Sequence, residues 1–170
     1  MDDTEYLGGL WLNGISAKSL IDDIMKSADI SSDNYQIAEE LQNITVSGYL
    51  PICTHRAALQ QVAFAIGAVV DCSRSEKIKI TTLITNNSKT IPLDRKIVGR
   101  TQENTALVTG VEVYTHHYSL SDSITEVFKE QREIGEYVIK FSEPTTNITA
   151  TGATITEQGV NYARIKVSSK

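Results

Sequence analysis

The sequence predicts an α+β fold, with an N-terminal helix-plus-hairpin unit followed by a mainly antiparallel β region. Three observations carry this. The run Val46–Ile80 strings turn, helix and hairpin signals together without a gap. Apolar residues recur at helical spacing after Ser16, and from Thr81 onward the chain turns rich in Thr, Val, Ile and Tyr, broken by turn clusters. At 170 residues it can bury roughly two-thirds of its unfolded surface, enough for one domain or two small ones.

The elements follow in order. Ser16 offers a side-chain oxygen to the free N–H groups of a helix in which Ala17, Leu20, Ile21, Ile24, Met25 and Ala28 share one face. Lys18, Asp22, Asp23 and Lys26 occupy the other face. Asp29 to Asn34 is a polar connection; in Tyr35 to Val46, Ile37, Leu41 and Ile44 fit a helix whereas Ile44-Thr45-Val46 reads as strand, and extended structure is favoured only at Ile44 to Ser47. Gly48 and Pro51 break what precedes them, and Thr54 caps a second helix. Its apolar arc comprises Ala58, Leu59, Val62, Ala63 and Ile66, with Phe64 and Ala65 beside it, while His55, Arg56, Gln60 and Gln61 face outward. Gly67 stops it. Val69 and Val70 begin a strand, Ser73 to Glu76 turn the chain, and Lys77-Ile78-Lys79-Ile80 alternates as the return strand, so a helix packs on a hairpin.

The order of these elements, with Gly48, Thr54, Arg56, Ala58, Leu59, Val62, Ala63, Gly67 and Ile78 at the matching places, resembles a unit in baseplate-hub and tail-associated structural proteins of tailed bacteriophages and prophages. LVTGVEVYTHHYSL and EYVIKFSEP are similar in flavour. The resemblance implies a structural part of a virion or contractile apparatus and no enzymatic activity.

The second half is expected to be strands and turns. Turn clusters fall at Asn86-Asn87-Ser88, Gly99-Arg100-Thr101, Ser119 to Ser123 and Glu133 to Glu136. Leu107 to Tyr118 reads as a long strand, Ile124 to Gln131 and Tyr137 to Ser142 as a hairpin around Gly135, and Ile148 to Thr156 with Val160 to Val167 as a final hairpin. Glu126 to Glu133 fits a helix as well, its charges being dense and its apolar residues few. The division expected is a helix-hairpin domain over 1–94, a linker over 95–104 and a β-rich domain over 105–170, and the abrupt structured start and end suggest a piece of a longer polypeptide.

A net charge of −5 with scattered Lys and Arg offers no basic face for phosphates, so nucleic acid is not an expected partner. The N-terminal MDDTEYLGGLWLNG lacks the basic start and apolar core of a signal peptide, and no run approaches the ~20 apolar residues of a membrane span. Synthesis in the host bacterial cytoplasm, incorporation into a virion and no membrane insertion are expected. The Asn-x-Thr/Ser matches at Asn43, Asn86 and Asn147 are then chance.

Chemistry is thin. Cys53 precedes the central helix and Cys72 follows the returning strand. A helix of about fourteen residues climbs ~20 Å and four or five strand residues return ~15 Å, so the two sulfurs could approach each other. A disulfide, or zinc held with His55 and one of the adjacent His116 and His117, stands against two packed, reduced cysteines, and the second reading is preferred. Asp22-Asp23 and Glu39-Glu40 read as solvated charge, and no Gly-x-Ser-x-Gly elbow or phosphate-cradling glycine loop occurs. No catalytic residue, metal ligand or cofactor is expected. Tyr114, His116 and Tyr118 share one face of the expected long strand and form the candidate binding face, set against ordinary sheet packing. The expected partners are other tail or baseplate proteins and copies of the chain; the alternative is a carbohydrate- or receptor-binding module of a tail-tip protein.

Overall fold

The computed structural model describes residues 1, 4–73, 75–83, 90, 92–95, 109–110, 112 and 114–168. The fold is α+β, with three α-helices and ten strands among those residues. Contacts group the chain into two compact units, Met1–Leu83 with His117–Lys170, and Ile84–His116.

In the larger unit, β1 (Glu5–Tyr6) and β2 (Gly9–Ser16) lead into α1 (Ala17–Ser27). Ser16 is the N-cap, its Oγ accepting from Ser19 N at 3.1 Å, and Ala17, Leu20, Ile21, Ile24 and Met25 are buried. The helical spacing and the cap agree because each is a local property of the chain. A single turn of 3₁₀ helix, Ser32–Asn34, precedes β3 (Tyr35–Ile37), α2 (Glu39–Gln42) and β4 (Thr45–Leu50). The expectation of extended structure only at Ile44 to Ser47 needs correcting. β3 is a strand because it pairs in parallel with a segment far along the chain, and Leu41, 2% exposed, pins the single helical turn before β4.

β5 (Cys53–Thr54) pairs with β1, and Thr54 caps α3 (His55–Ala65) by accepting from Ala57 N at 3.2 Å. Gly67 follows the helix at φ 65°, a conformation that favours glycine. β6 (Ala68–Asp71) and β7 (Ile78–Thr82) form the antiparallel hairpin, and with β3 they make a sheet ordered β3-β7-β6. α1, α3 and the inner faces of these strands close one core, in which Ile21, Ile24, Met25 and Ile80 are fully buried. Truncating any of these to alanine costs about 2–5 kcal/mol through lost transfer energy and the cavity left behind. Three side chains of α3 depart from expectation. Phe64 is 87% exposed and Ala65 is exposed, because the buried arc is narrower than composition implied; His55 is buried, for the reason given below.

Three strands close the chain: β8 (Gly135–Lys140), β9 (Thr154–Gln158) and β10 (Tyr162–Val167), ordered β8-β10-β9 and antiparallel throughout. The β9–β10 hairpin forms, but its first strand is shifted: 148–153 carry no strand, and Glu157 and Gln158, expected in the turn, belong to β9 because they pair with Arg164 and Ala163. The expected hairpin around Gly135 does not form: Gly135 opens β8 itself, opposite Val167, and 124–131 is neither strand nor helix. β8 takes its partner from β10 instead, since six residues in continuous register outweigh a short local turn. The sheet is tied to the core unit by Asn161, whose Nδ2 donates to Leu7 O at 2.8 Å and Leu50 O at 3.1 Å.

In the smaller unit, Leu93–Arg95 forms a 3₁₀ turn. Described residues of the expected strand Leu107–Tyr118 carry no strand; that period-two reading needs a paired neighbour, and none is present among them. Residues 107, 108, 111 and 113 of that segment, the turns at 86–88 and 99–101, and linker residues 96–104 lie outside the described residues. Among the described residues no helix is long and apolar enough to cross a membrane.

Candidate functional site

A cleft of about 430 Å³ opens in the larger unit where the N-terminal segment Tyr6–Trp11, the second half of α1 and the loop between β9 and β10 meet. Its walls follow from three local decisions. Gly8, at φ 67°, lets the chain turn between β1 and β2 against the β4 end: a Cβ there would sit 2.1 Å from Leu50 O and 2.6 Å from Asn161 Nδ2. Helical spacing places Asp23 and Ser27 one turn apart on α1, facing the cleft. Asn161, fully buried, holds the β9–β10 loop in place.

Tyr6, 4% exposed, donates from its Oη to Asp23 Oδ2 at 2.6 Å. Burial, then the hydrogen bond to Asp23 and its negative charge, raise the phenol well above its ordinary range. Tyr35 makes the same contact with Asp22 Oδ1, also at 2.6 Å, and burial with that bond pushes it up to about 12. Asp22 also pairs with Lys18, so the acidic pair is occupied as hydrogen-bond acceptor and ion-pair partner.

Behind the cleft lies His55, only 1% exposed. Its Nδ1 is 2.9 Å from the Thr4 carbonyl oxygen and 2.9 Å from Thr4 Oγ1, and its Nε2 is 3.0 Å from Ser27 Oγ. A carbonyl only accepts, so Nδ1 carries the proton and donates to Thr4 O, leaving Nε2 to accept from the Ser27 hydroxyl. This corrects the outward placement of His55. Thr54 puts it in the first helical position, and its partners, 51 and 28 residues away in sequence, fold over it. A hydroxyl held by an oriented imidazole is the first requirement of nucleophilic catalysis. Ser27, however, is the last residue of α1, where the negative end of the helix dipole opposes an oxyanion developing beside it. The arrangement acts as a staple joining the N-terminal segment, the end of α1 and the start of α3.

The residues singled out from sequence are not brought together. Tyr114 is 77% exposed and donates to Glu112 Oε2 at 2.6 Å, a bond that raises its phenol. His116 is exposed. Tyr118 packs on Tyr49, ring centroids 5.7 Å apart and tilted by 57°. The stripe of Tyr114, His116 and Tyr118 required a strand at 114–118, which is absent. Cys53 and Cys72 are free thiols, the first half-buried with its thiol pushed up by burial, the second exposed. Among the described residues no three His, Cys, Asp or Glu side chains gather as a metal site.

Sequence reading passed over Thr4, Tyr6, Ser27 and Asn161. Tyr6 and Ser27 carry no spacing signal of their own, and Asn161 fell inside the expected strand Val160 to Val167, where nothing distinguished it. No family model matches this sequence, and no curated protein or solved structure matches it either.

Proposed function

We propose that this chain is a non-enzymatic structural component of a phage or prophage tail or baseplate, resident in the virion and acting through contacts with neighbouring tail proteins and with copies of itself. The observation that carries the protein-contact reading is the segment 119–134. It contains neither helix nor strand, yet exposes Leu120, Ile124, Val127 and Ile134, with Ile124 as exposed as in an extended chain at 101%. An apolar segment left in water marks an interaction surface, and a segment without helix or strand is suited to ordering against another chain. The tail assignment draws on the resemblance of the central unit. Its Thr54 cap, Gly67 stop and Ile78 return strand fall in the order on which that resemblance rests.

The staple role of His55 and Ser27, and the engagement of Asp22 and Asp23 by tyrosines, support the non-enzymatic part of the reading. Antibody labelling of particles induced from the encoding cells tests the assignment. Label confined to the tail or its distal end supports it, and label absent from intact particles and from exposed tail ends overturns it.

A further inference from the structure

The sheet ordered β8-β10-β9 leaves one flank of β8 without a partner strand among the described residues. Phe141 N donates to Asn161 O at 2.8 Å, which fixes the direction of the main-chain groups along this strand. Directions alternate, so Ile139 and Tyr137 also address β10, whereas the N–H and C=O groups of Glu136, Val138 and Lys140 point out of the sheet edge. The side chains of those same three residues lie on the exposed face. The edge therefore presents Glu, Val and Lys at alternate positions, symmetric in spacing about Val138 and opposite in charge at its ends.

From that symmetry we infer that β8 pairs antiparallel with β8 of a second copy, about a two-fold axis through Val138. Val138 faces Val138 of the second copy across a hydrogen-bonded pair, Glu136 faces its Lys140, and Lys140 faces its Glu136. This register is selected by charge. Sliding by two residues sets a charged side chain against Val138 and unpairs the rest, and sliding by four sets like charge against like. A two-fold contact is self-complementary in just this manner. The pairing joins two three-stranded sheets into one of six strands and closes the exposed edge. Within the chain Lys140 already pairs with Glu5, and Glu136 lies 3.4 Å from Lys166. Both are solvent-exposed pairs, and the three donors of an ammonium can serve two carboxylates.

The inference deepens the assembly reading and rests on it only in taking copies of the chain as partners. It is tested by sedimentation equilibrium of the full chain at about 1–100 μM, since interfaces of this kind reach micromolar affinity, with circular dichroism confirming that every variant is folded. The wild type is expected to dimerise. Glu136→Lys and Lys140→Glu, each placing two like-charge pairs across the axis, are expected to weaken the dimer roughly tenfold or more. The double variant Glu136→Lys with Lys140→Glu restores opposite charges and is expected to recover the wild-type constant. A wild-type chain that stays monomeric overturns the pairing, while particle labelling judges the tail assignment separately. A dimer untouched by either single reversal, or one that the double variant fails to restore, overturns the edge and its register.

Discussion

Replacing Asn161 with alanine removes the side chain that ties the C-terminal sheet to the core. Its Nδ2 donates to Leu7 O and Leu50 O, and the side chain is fully buried. Leu50 O, which is buried, and Leu7 O, which is half-buried, lose this donor, at about 1–3 kcal/mol each. Against that, Asn161 Oδ1 is itself buried and has no hydrogen-bond partner among the described residues, so deleting the amide relieves a penalty of about 1–3 kcal/mol. With about 1 kcal/mol for the small cavity, the net loss is about 3 kcal/mol. For a chain of this size that corresponds to a melting point lower by about 6–12 °C. Urea unfolding followed by circular dichroism and by the single tryptophan, Trp11 in the wall of the cleft, measures it. Asn161→Asp sharpens the test. It supplies no donor when ionised and turns a charge towards two carbonyl oxygens, so it should be worse than alanine at neutral pH. A protonated carboxyl can donate once, so the folded-state pKa of the new group is raised and the variant regains part of its loss as pH falls. An Asn161→Ala change within about 0.5 kcal/mol of wild type would refute the tie that Asn161 makes to Leu7 and Leu50 and with it the ordering of the β9–β10 loop.

Tyr6 and Tyr35 hold their protons more tightly folded than unfolded. The stability they contribute is complete below the ordinary phenol value of 10.0 and is lost as pH rises through about 12 for Tyr35. Alkaline titration by ultraviolet difference absorbance should therefore show Tyr6 and Tyr35 ionising last, and Asp22→Asn with Asp23→Asn should bring them part of the way down, burial being the larger cause; simple overlap of all seven tyrosines would contradict the contacts. His55→Phe, which abandons the Thr4 and Ser27 bonds, should cost about 3 kcal/mol and Ser27→Ala about 1 kcal/mol in the same unfolding assay; equal effects near zero would contradict the staple. A glycan array should be silent for the wild type, and reproducible binding abolished by Tyr114→Ala would favour the receptor-binding alternative.

What could be read from the sequence was what is decided within a turn or two of chain. Ser16 and Thr54 announced their helices because a capping hydroxyl and an apolar stripe are both local, and the β6–β7 and β9–β10 hairpins are short-range pairings. The remaining elements depend on distant partners. β3 is a strand only beside β7, β8 finds β10 across more than twenty residues instead of the nearer segment at 124–131, and His55 is buried because Thr4 and Ser27 supply bonds that no periodicity encodes. The site fared worst for the same reason. Tyr114, His116 and Tyr118 were grouped by a period of two that has meaning only in a paired strand, whereas the cleft is assembled from a glycine turn, a helix end and a loop brought together by one buried amide.

Membership of a tail requires the chain to be a stoichiometric part of the particle. Quantitative mass spectrometry of particles purified to constant composition should find it at a fixed copy number relative to the other tail proteins, unchanged by washing in high salt. Its absence from such particles, or a trace that falls with each wash, would contradict the structural role.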